Sequence, residues 1–138
     1  MSAELALVPP LRSIHPPALR SEAVARANQE WNADVVKQVI DAIAKHDVVV
    51  VGMAWNVPVK HAKADLDRAE VPFHYLEFGN YITGWRQRLA IKLWTGWPTF
   101  PQVFVKGVFI GGQELTRAEI ESGKLRERLA APRAWPAV

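Results

Sequence analysis

Hydrophobic residues recur at helical spacing in the first half of the chain and then give way to short apolar runs. Val35, Val39 and Ile43 lie on one face of a predicted helix that ends near residue 46. A run of four valines follows over residues 48–51, which is too short for a helix and is rich in β-branched side chains. Such a run predicts a strand that is covered on both faces.

Helical and strand patterns alternate along the rest of the chain. Pro58 suits the first turn of a helix, where no amide donor is needed. The pair Lys106-Gly107 separates two apolar runs and is typical of a hairpin turn. The further predicted elements are a helix over residues 59–69, a strand over 71–78, a helix over 80–94 with the apolar stripe Ile82, Trp85, Leu89 and Leu93, strands over 103–105 and 108–110, a helix from Thr116 to about Ser122 and a helix over 124–130.

This order of elements predicts two parallel crossovers followed by a hairpin. The expected fold is therefore an α/β, thioredoxin-like topology, a four-stranded mixed sheet with helices on both faces. Residues 1–33 are interrupted by prolines and predict an N-terminal arm in which only residues 18–31 suit a helix. Residues 34–131 are expected to form the domain, and residues 132–138 a C-terminal tail.

Composition narrows the classes of function. The 138 residues are 49% hydrophobic and contain no apolar run of about 20 residues, which predicts one cytoplasmic domain without a membrane span. The net charge of +3 is scattered along the chain, so nucleic acid is not an expected partner. The cysteine count of 0 excludes a disulfide, a thiolate nucleophile and a cysteine-ligated metal from the chain's own residues. No metal site is predicted, because the four histidines are dispersed: His15, His46, His61 and His74.

The second half of the chain carries a specific set of motifs. These are W-P-T-F-P-Q-V-F-V over residues 97–105, Gly107, the pair Gly111-Gly112 and E-I-E-S-G-K-L over residues 119–125. They resemble the corresponding stretch of glutaredoxins, the monothiol class above all. The resemblance extends to K-H-A-K over residues 60–63 and V-P-F over residues 71–73.

The resemblance places the family's nucleophilic cysteine at Asn56 and its second active-site position at Val59. An asparagine amide cannot form a mixed disulfide or ligate iron, and it is neither acid nor base near neutral pH. The redox chemistry and the iron–sulfur cluster of the family are therefore not expected in this chain. From the sequence alone, Asn56 also suits the N-cap of the helix that follows it.

The resemblance also implies a glutathione cleft. In glutaredoxins the tripeptide lies along the residue before a cis-proline, which here is Phe100 before Pro101. Its γ-glutamyl end would meet Gln113 and Glu114, and its glycine carboxylate would meet basic residues of the third helix. A lysine of the family is replaced by Met53, which is expected to weaken binding. The predicted ligand-binding residues are Arg88, Lys92, Thr99, Phe100, Pro101, Gly112, Gln113 and Glu114.

Two classes of function remain open on the sequence. The first is a redox-inactive binding module that holds glutathione or a partner protein in this cleft. The alternative is a glutathione-dependent enzyme, an isomerase, lyase or transferase, in which the bound tripeptide supplies the thiol that the chain lacks.

Overall fold

The computed structural model describes residues 15–137 of the chain. The chain divides into two units between Trp31 and Asn32. Residues 1–14, which belong to the predicted arm, lie outside the described residues. The domain boundaries given above stay predictions.

A four-stranded sheet forms the centre of the second unit. Its strand order is β2-β1-β3-β4, with β1 parallel to β2 and antiparallel to β3, and with β3 antiparallel to β4. The described elements are a 3-10 turn Pro17–Leu19, α1 Glu22–Glu30, α2 Ala33–Lys45, β1 Val48–Gly52, α3 Val57–Arg68, β2 His74–Glu77, α4 Trp85–Thr95, β3 Gln102–Val105, β4 Val108–Gly111, α5 Gln113–Ser122 and α6 Lys124–Ala130.

Strand β1 contributes side chains to two hydrophobic cores, one on each face of the sheet, because successive side chains of a strand point to opposite faces. Val49 and Val51 are buried against residues of α2 and α4. Val48 and Val50 are buried with residues of α3 and α6. The helices therefore cover both faces, and the predicted four-stranded mixed sheet is confirmed.

The predicted hairpin turn at Lys106-Gly107 is also confirmed. Val105 pairs with Val108 across it, and both turn residues have positive φ values, 51° and 85°. Two left-handed residues in a row give a turn whose twist matches that of the strands on either side. Glycine adopts this conformation without steric cost, which is the physical reason for Gly107.

The prediction for α4 is wrong in its first turn and in its buried face. The helix begins at Trp85 rather than at residue 80, because the residues before it form a turn. Asn80 Oδ1 accepts hydrogen bonds from the amides of Ile82 and Thr83, and Gly84 has a φ of 79°. The inward face carries Arg88, Ala90 and Ile91. The predicted apolar stripe lies on the exposed surface: Ile82, Trp85, Leu89 and Leu93.

The starts of α5 and β2 also differ from the prediction. Helix α5 begins at Gln113 rather than at Thr116, whose amide already donates to the Gly112 carbonyl at 3.0 Å. Strand β2 begins at His74 rather than at residue 71, because the Val71 amide donates to a carbonyl of α3. The first correction matters for the site, since it places Gln113 and Glu114 in the first turn of a helix.

The segment after α6 packs within the second unit, against the end of α2 and the ring of Trp94. Arg133 donates from Nη1 to the Ile43 carbonyl near the end of α2, and from Nη2 to the Asp47 carboxylate at 3.0 Å. The indole ring of Trp135 lies 6.1 Å from that of Trp94. Because carbonyls at the C-terminus of a helix lack intrahelical donors, the guanidinium caps α2.

Candidate functional site

A cleft of about 600 Å³ lies among the start of α3, the loop before β3 and the start of α5. This volume is typical of sites for small ligands. The lining residues are Met53, Asn56, Pro58, Tyr81, Lys92, Trp97, Pro98, Thr99, Phe100, Gly112, Gln113, Glu114 and Leu115. They include every predicted site residue except Arg88 and Pro101.

Asn56 caps helix α3 at the edge of the cleft. Its Oδ1 accepts a hydrogen bond from the Val59 amide at 2.9 Å. Its Nδ2 donates to the Tyr81 hydroxyl at 3.3 Å. An asparagine at this position satisfies one of the backbone amides that the first turn leaves without a partner. The position to which the resemblance assigns a cysteine therefore holds a neutral amide engaged in two hydrogen bonds.

The loop before β3 forms one wall of the cleft. The peptide bond between Phe100 and Pro101 is cis, so the prediction for this bond is confirmed. The fully buried side chain of Gln102 donates from Nε2 to the carbonyls of Trp97, at 3.1 Å, and Thr99, at 3.3 Å. These bonds tie the loop to the start of β3. The loop thus has a fixed backbone beside the space where a ligand would lie.

Two oppositely charged side chains line the cleft. Lys92, on α4, is half-buried, and its Nζ lies 5.7 Å from the centre of the Phe100 ring. Glu114, in the first turn of α5, is exposed. The cleft can therefore bind a ligand that carries both a carboxylate and an amine, because each finds an opposite charge there.

Gln113 lines the cleft, and its side-chain amide nitrogen is directed toward Asp65 on α3. Its Nε2 lies 3.5 Å from Asp65 Oδ2, and Arg117 Nε donates to the same oxygen at 3.2 Å. Arg68 also donates to this carboxylate. Burial alone raises the pKa of Asp65, but the hydrogen bonds from Arg117 and Gln113 and the charge of Arg117 outweigh it, so the pKa lies below its usual value.

We expect this carboxylate to make stability depend on acid pH. Its pKa is lower in the folded chain than in the unfolded chain, so its stabilisation is complete above about pH 4 and is lost as the pH falls through the lower, folded value. Asp65→Asn should reduce the free energy of unfolding near neutral pH by about 1–2 kcal/mol, because its arginine partners are largely exposed. Urea unfolding across the acid range measures this.

Asp67→Asn is the matched control, because Asp67 lies on the same helix and is exposed. Its unfolding free energy should follow that of the unaltered chain at every pH. The difference between Asp65→Asn and the unaltered chain should shrink in acid, because the Asp65 carboxylate becomes neutral there and the asparagine is neutral at every pH. A difference that stays constant down to the lowest pH would contradict the assigned role of the Asp65 charge.

Arg88, like Pro101, is a predicted site residue that does not line the cleft. It is 8% exposed, and its Nη1 donates to the carbonyls of Phe78, at 3.0 Å, and Thr83, at 2.6 Å. Both carbonyls belong to the segment between β2 and α4, which carries Tyr81. The guanidinium thus holds the shape of that segment.

Sequence reasoning did not identify Tyr81 as a site residue. Tyr81 is separated from Asn56 by 25 positions, and the two meet because the segment before α4 folds as a turn rather than as helix. The Asn80-x-x-x-Gly84 pattern is the feature that could have indicated this turn, since asparagine and glycine favour turns.

The fold and the cleft together define a thioredoxin-like protein, and comparison with known proteins specifies the family. A glutaredoxin family model matches residues 60–110. A "glutaredoxin-like protein" of Dictyostelium discoideum is 42% identical over 106 residues, which span 77% of this chain and 86% of the relative. The chain belongs to the glutaredoxin family.

One further relative and one solved structure are also similar to this chain. Monothiol glutaredoxin-4 of Schizosaccharomyces pombe is 40% identical over 52 residues, or 38% of this chain and 21% of that protein. The crystal structure of a buckwheat glutaredoxin–glutathione complex has a TM-score of 0.65 at 22% identity, covering 74% of this chain and 93% of that chain. The second match supports the thioredoxin-like fold alone.

Two structural features are absent from residues 15–137. No helix in this part of the chain is long and apolar enough to cross a membrane. The same residues contain no group of three or more His, Cys, Asp or Glu side chains arranged to hold a metal ion. A cysteine-ligated iron–sulfur cluster does not fit the residues of the cleft, because the chain has 0 cysteines and Asn56 offers only an amide.

Proposed function

We propose that the chain is a redox-inactive glutaredoxin-like protein whose cleft binds glutathione. One observation carries the proposal: a single cleft combines the backbone of the Phe100 loop with opposite charges at Lys92 and Glu114. Glutathione is extended, has two carboxylates and one amine, and can match both charges. The solved buckwheat glutaredoxin, whose fold this chain shares, is a complex with glutathione, which supports the proposal.

The chain's own residues supply no thiol, so the proposed role is binding rather than disulfide reduction. Asn56 caps α3 where a nucleophile would act in a redox-active relative. A protein partner carrying a glutathionylated or extended segment would bind to the same loop backbone. We propose that the protein is located in the cytoplasm. Calorimetric titration with reduced glutathione is the test that decides whether the cleft is a ligand site.

We expect the unaltered chain to bind glutathione with a dissociation constant in the high micromolar to millimolar range. Met53 stands where the family provides a lysine, and the loss of one charge-assisted hydrogen bond weakens affinity by about tenfold or more. Lys92→Ala should weaken binding by about a further tenfold, because Lys92 is half-buried. Glu114→Ala should have a smaller effect, because Glu114 is exposed.

Lys37→Ala on α2 and Glu121→Ala on α5 are matched controls with exposed side chains outside the cleft lining. They change the net charge by the same amounts and should leave the affinity unchanged. Equal weakening by the site variants and by their controls would show that only net charge matters. Tight binding that is insensitive to Lys92→Ala and Glu114→Ala would place the ligand elsewhere.

A further inference from the structure

The orientation of the Asn56 amide is set by the helix that it caps. Its Oδ1 accepts the Val59 amide hydrogen at 2.9 Å, so its Nδ2 is the group that faces Tyr81. An amide nitrogen donates hydrogen bonds and does not accept them. The Tyr81 hydroxyl oxygen, 3.3 Å away, is therefore the acceptor in this contact.

The hydrogen of the Tyr81 hydroxyl is consequently left for another acceptor. Within residues 15–137 the hydroxyl has no second hydrogen-bond partner. The side chain lines the cleft and is 63% exposed. Tyr81 thus presents a neutral donor to the occupant of the cleft, beside the start of α3.

The start of α3 itself offers few donors to a ligand. The Val59 amide donates to the Asn56 side chain, and the Lys60 amide donates to the Asn56 carbonyl at 3.2 Å. Pro58 has no amide hydrogen. An electron-rich group of a ligand at this end of the cleft therefore meets side-chain donors from Tyr81 and from Asn56, whose Nδ2 has a second hydrogen.

Glutathione carries its charged groups at its two ends and its thiol in the middle. Lys92 and Glu114 supply charges for the ends, which leaves the neutral donor for the central residue. We propose that Tyr81, aligned by Asn56, donates its hydroxyl hydrogen to the sulphur of bound glutathione and holds that sulphur as a thiolate. This inference rests on the proposed function, and it gives the ligand's thiol a partner in a chain without cysteine.

The ionisation is balanced without any further reactant. The S–H bond breaks, its proton goes to solvent, and the electron pair stays on the sulphur. The hydroxyl hydrogen remains bonded to the Tyr81 oxygen while it is shared with the sulphur. A hydrogen bond to the charged form lowers the pKa of an acid, and for one partly exposed charge-assisted bond we expect a shift of about one unit.

The test is the pH dependence of glutathione binding to the full chain, measured by calorimetry across the range in which a thiol ionises, about pH 7 to pH 10. A lowered thiol pKa should make binding about tenfold tighter as the pH rises through this range. S-methylglutathione has no ionisable thiol and should show no such tightening. The comparison removes the contribution of protein groups that titrate in the same range.

Three variants assign the effect to a side chain. Tyr81→Phe should abolish the tightening, and Asn56→Ser should reduce it, because serine keeps a capping oxygen but has no donor for Tyr81. Tyr75→Phe is the control, since the Tyr75 hydroxyl donates to Glu77 at 3.1 Å and does not line the cleft.

The outcomes separate this inference from the proposed function. An unchanged pH dependence in Tyr81→Phe, or the same dependence with S-methylglutathione, overturns the role of Tyr81 while glutathione binding stands. A loss of S-methylglutathione affinity in Tyr81→Phe equal to that of glutathione also overturns it, because the acceptor is then not the ionised sulphur. Absence of glutathione binding at every pH overturns both proposals.

Discussion

Arg88→Ala is expected to lower the free energy of unfolding by about 3 kcal/mol. The side chain is 8% exposed, and its Nη1 bridges the carbonyls of Phe78 and Thr83. Truncation leaves two carbonyls without this donor and opens a cavity beneath α4, and each of these losses is costly in a protein interior. The segment that carries Tyr81 should then lose its fixed shape, so glutathione affinity should fall as a secondary effect.

Urea unfolding and calorimetric titration of the same variant distinguish the two roles considered for Arg88. Arg86→Ala is the matched control, because Arg86 is exposed on the same helix and contacts mainly the Trp85 ring, with its guanidinium carbon 5.0 Å from the ring centre. The control should cost no more than about 1 kcal/mol. An Arg88→Ala variant of unchanged stability but weakened affinity would restore Arg88 to the ligand-binding role that the family resemblance implies.

The sheet was predictable because its sequence features leave few alternatives. Four consecutive valines are too short for a helix and have no polar face, so they suit a strand between two layers. The turn pair Lys106-Gly107 indicates the hairpin through its backbone preference. Both features are local, and the chain around them carries no competing pattern.

Helix α4 was not predictable in the same way, because its buried face includes an arginine that is satisfied by hydrogen bonds. Arg88 and Ile91 share the inward face, while the apolar residues Leu89 and Leu93 lie on the exposed one. The hydrophobic pattern of a helix predicts that a charged residue such as arginine lies on the exposed face. The carbonyls that satisfy it come from the preceding segment, whose turn shape depends on tertiary contacts.

The site residues also fall into two groups, those predicted from local sequence motifs and those that depend on contacts between distant parts of the chain. The motif around Phe100 and Pro101 identified one wall of the cleft, and Gln113 and Glu114 identified another, because these positions follow local backbone signals. Tyr81 was not found, since its contact with Asn56 joins residues that are distant in sequence. The packing of the C-terminal segment was missed for the same reason.

Gly107→Ala is expected to lower the free energy of unfolding by about 3 kcal/mol, and Gly123→Ala by only about 1 kcal/mol. Both glycines have left-handed backbones, with φ values of 85° and 83°. A β carbon at Gly123 meets no atom within 4 Å, whereas one at Gly107 overlaps the Trp135 carbonyl. The substitution at Gly107 therefore adds a steric conflict to the backbone strain that both variants share.

Relief of that conflict requires the C-terminal segment to move, which would sacrifice the contacts of Arg133 with α2 and Asp47. We therefore expect Arg133→Ala to cost about 2 kcal/mol in the unaltered chain and much less when it is combined with Gly107→Ala, because both changes release the same segment. Unfolding free energies of the two single variants and the double variant complete the cycle. Strictly additive losses, or equal losses for Gly107→Ala and Gly123→Ala, would show that the segment does not pack over the hairpin in solution.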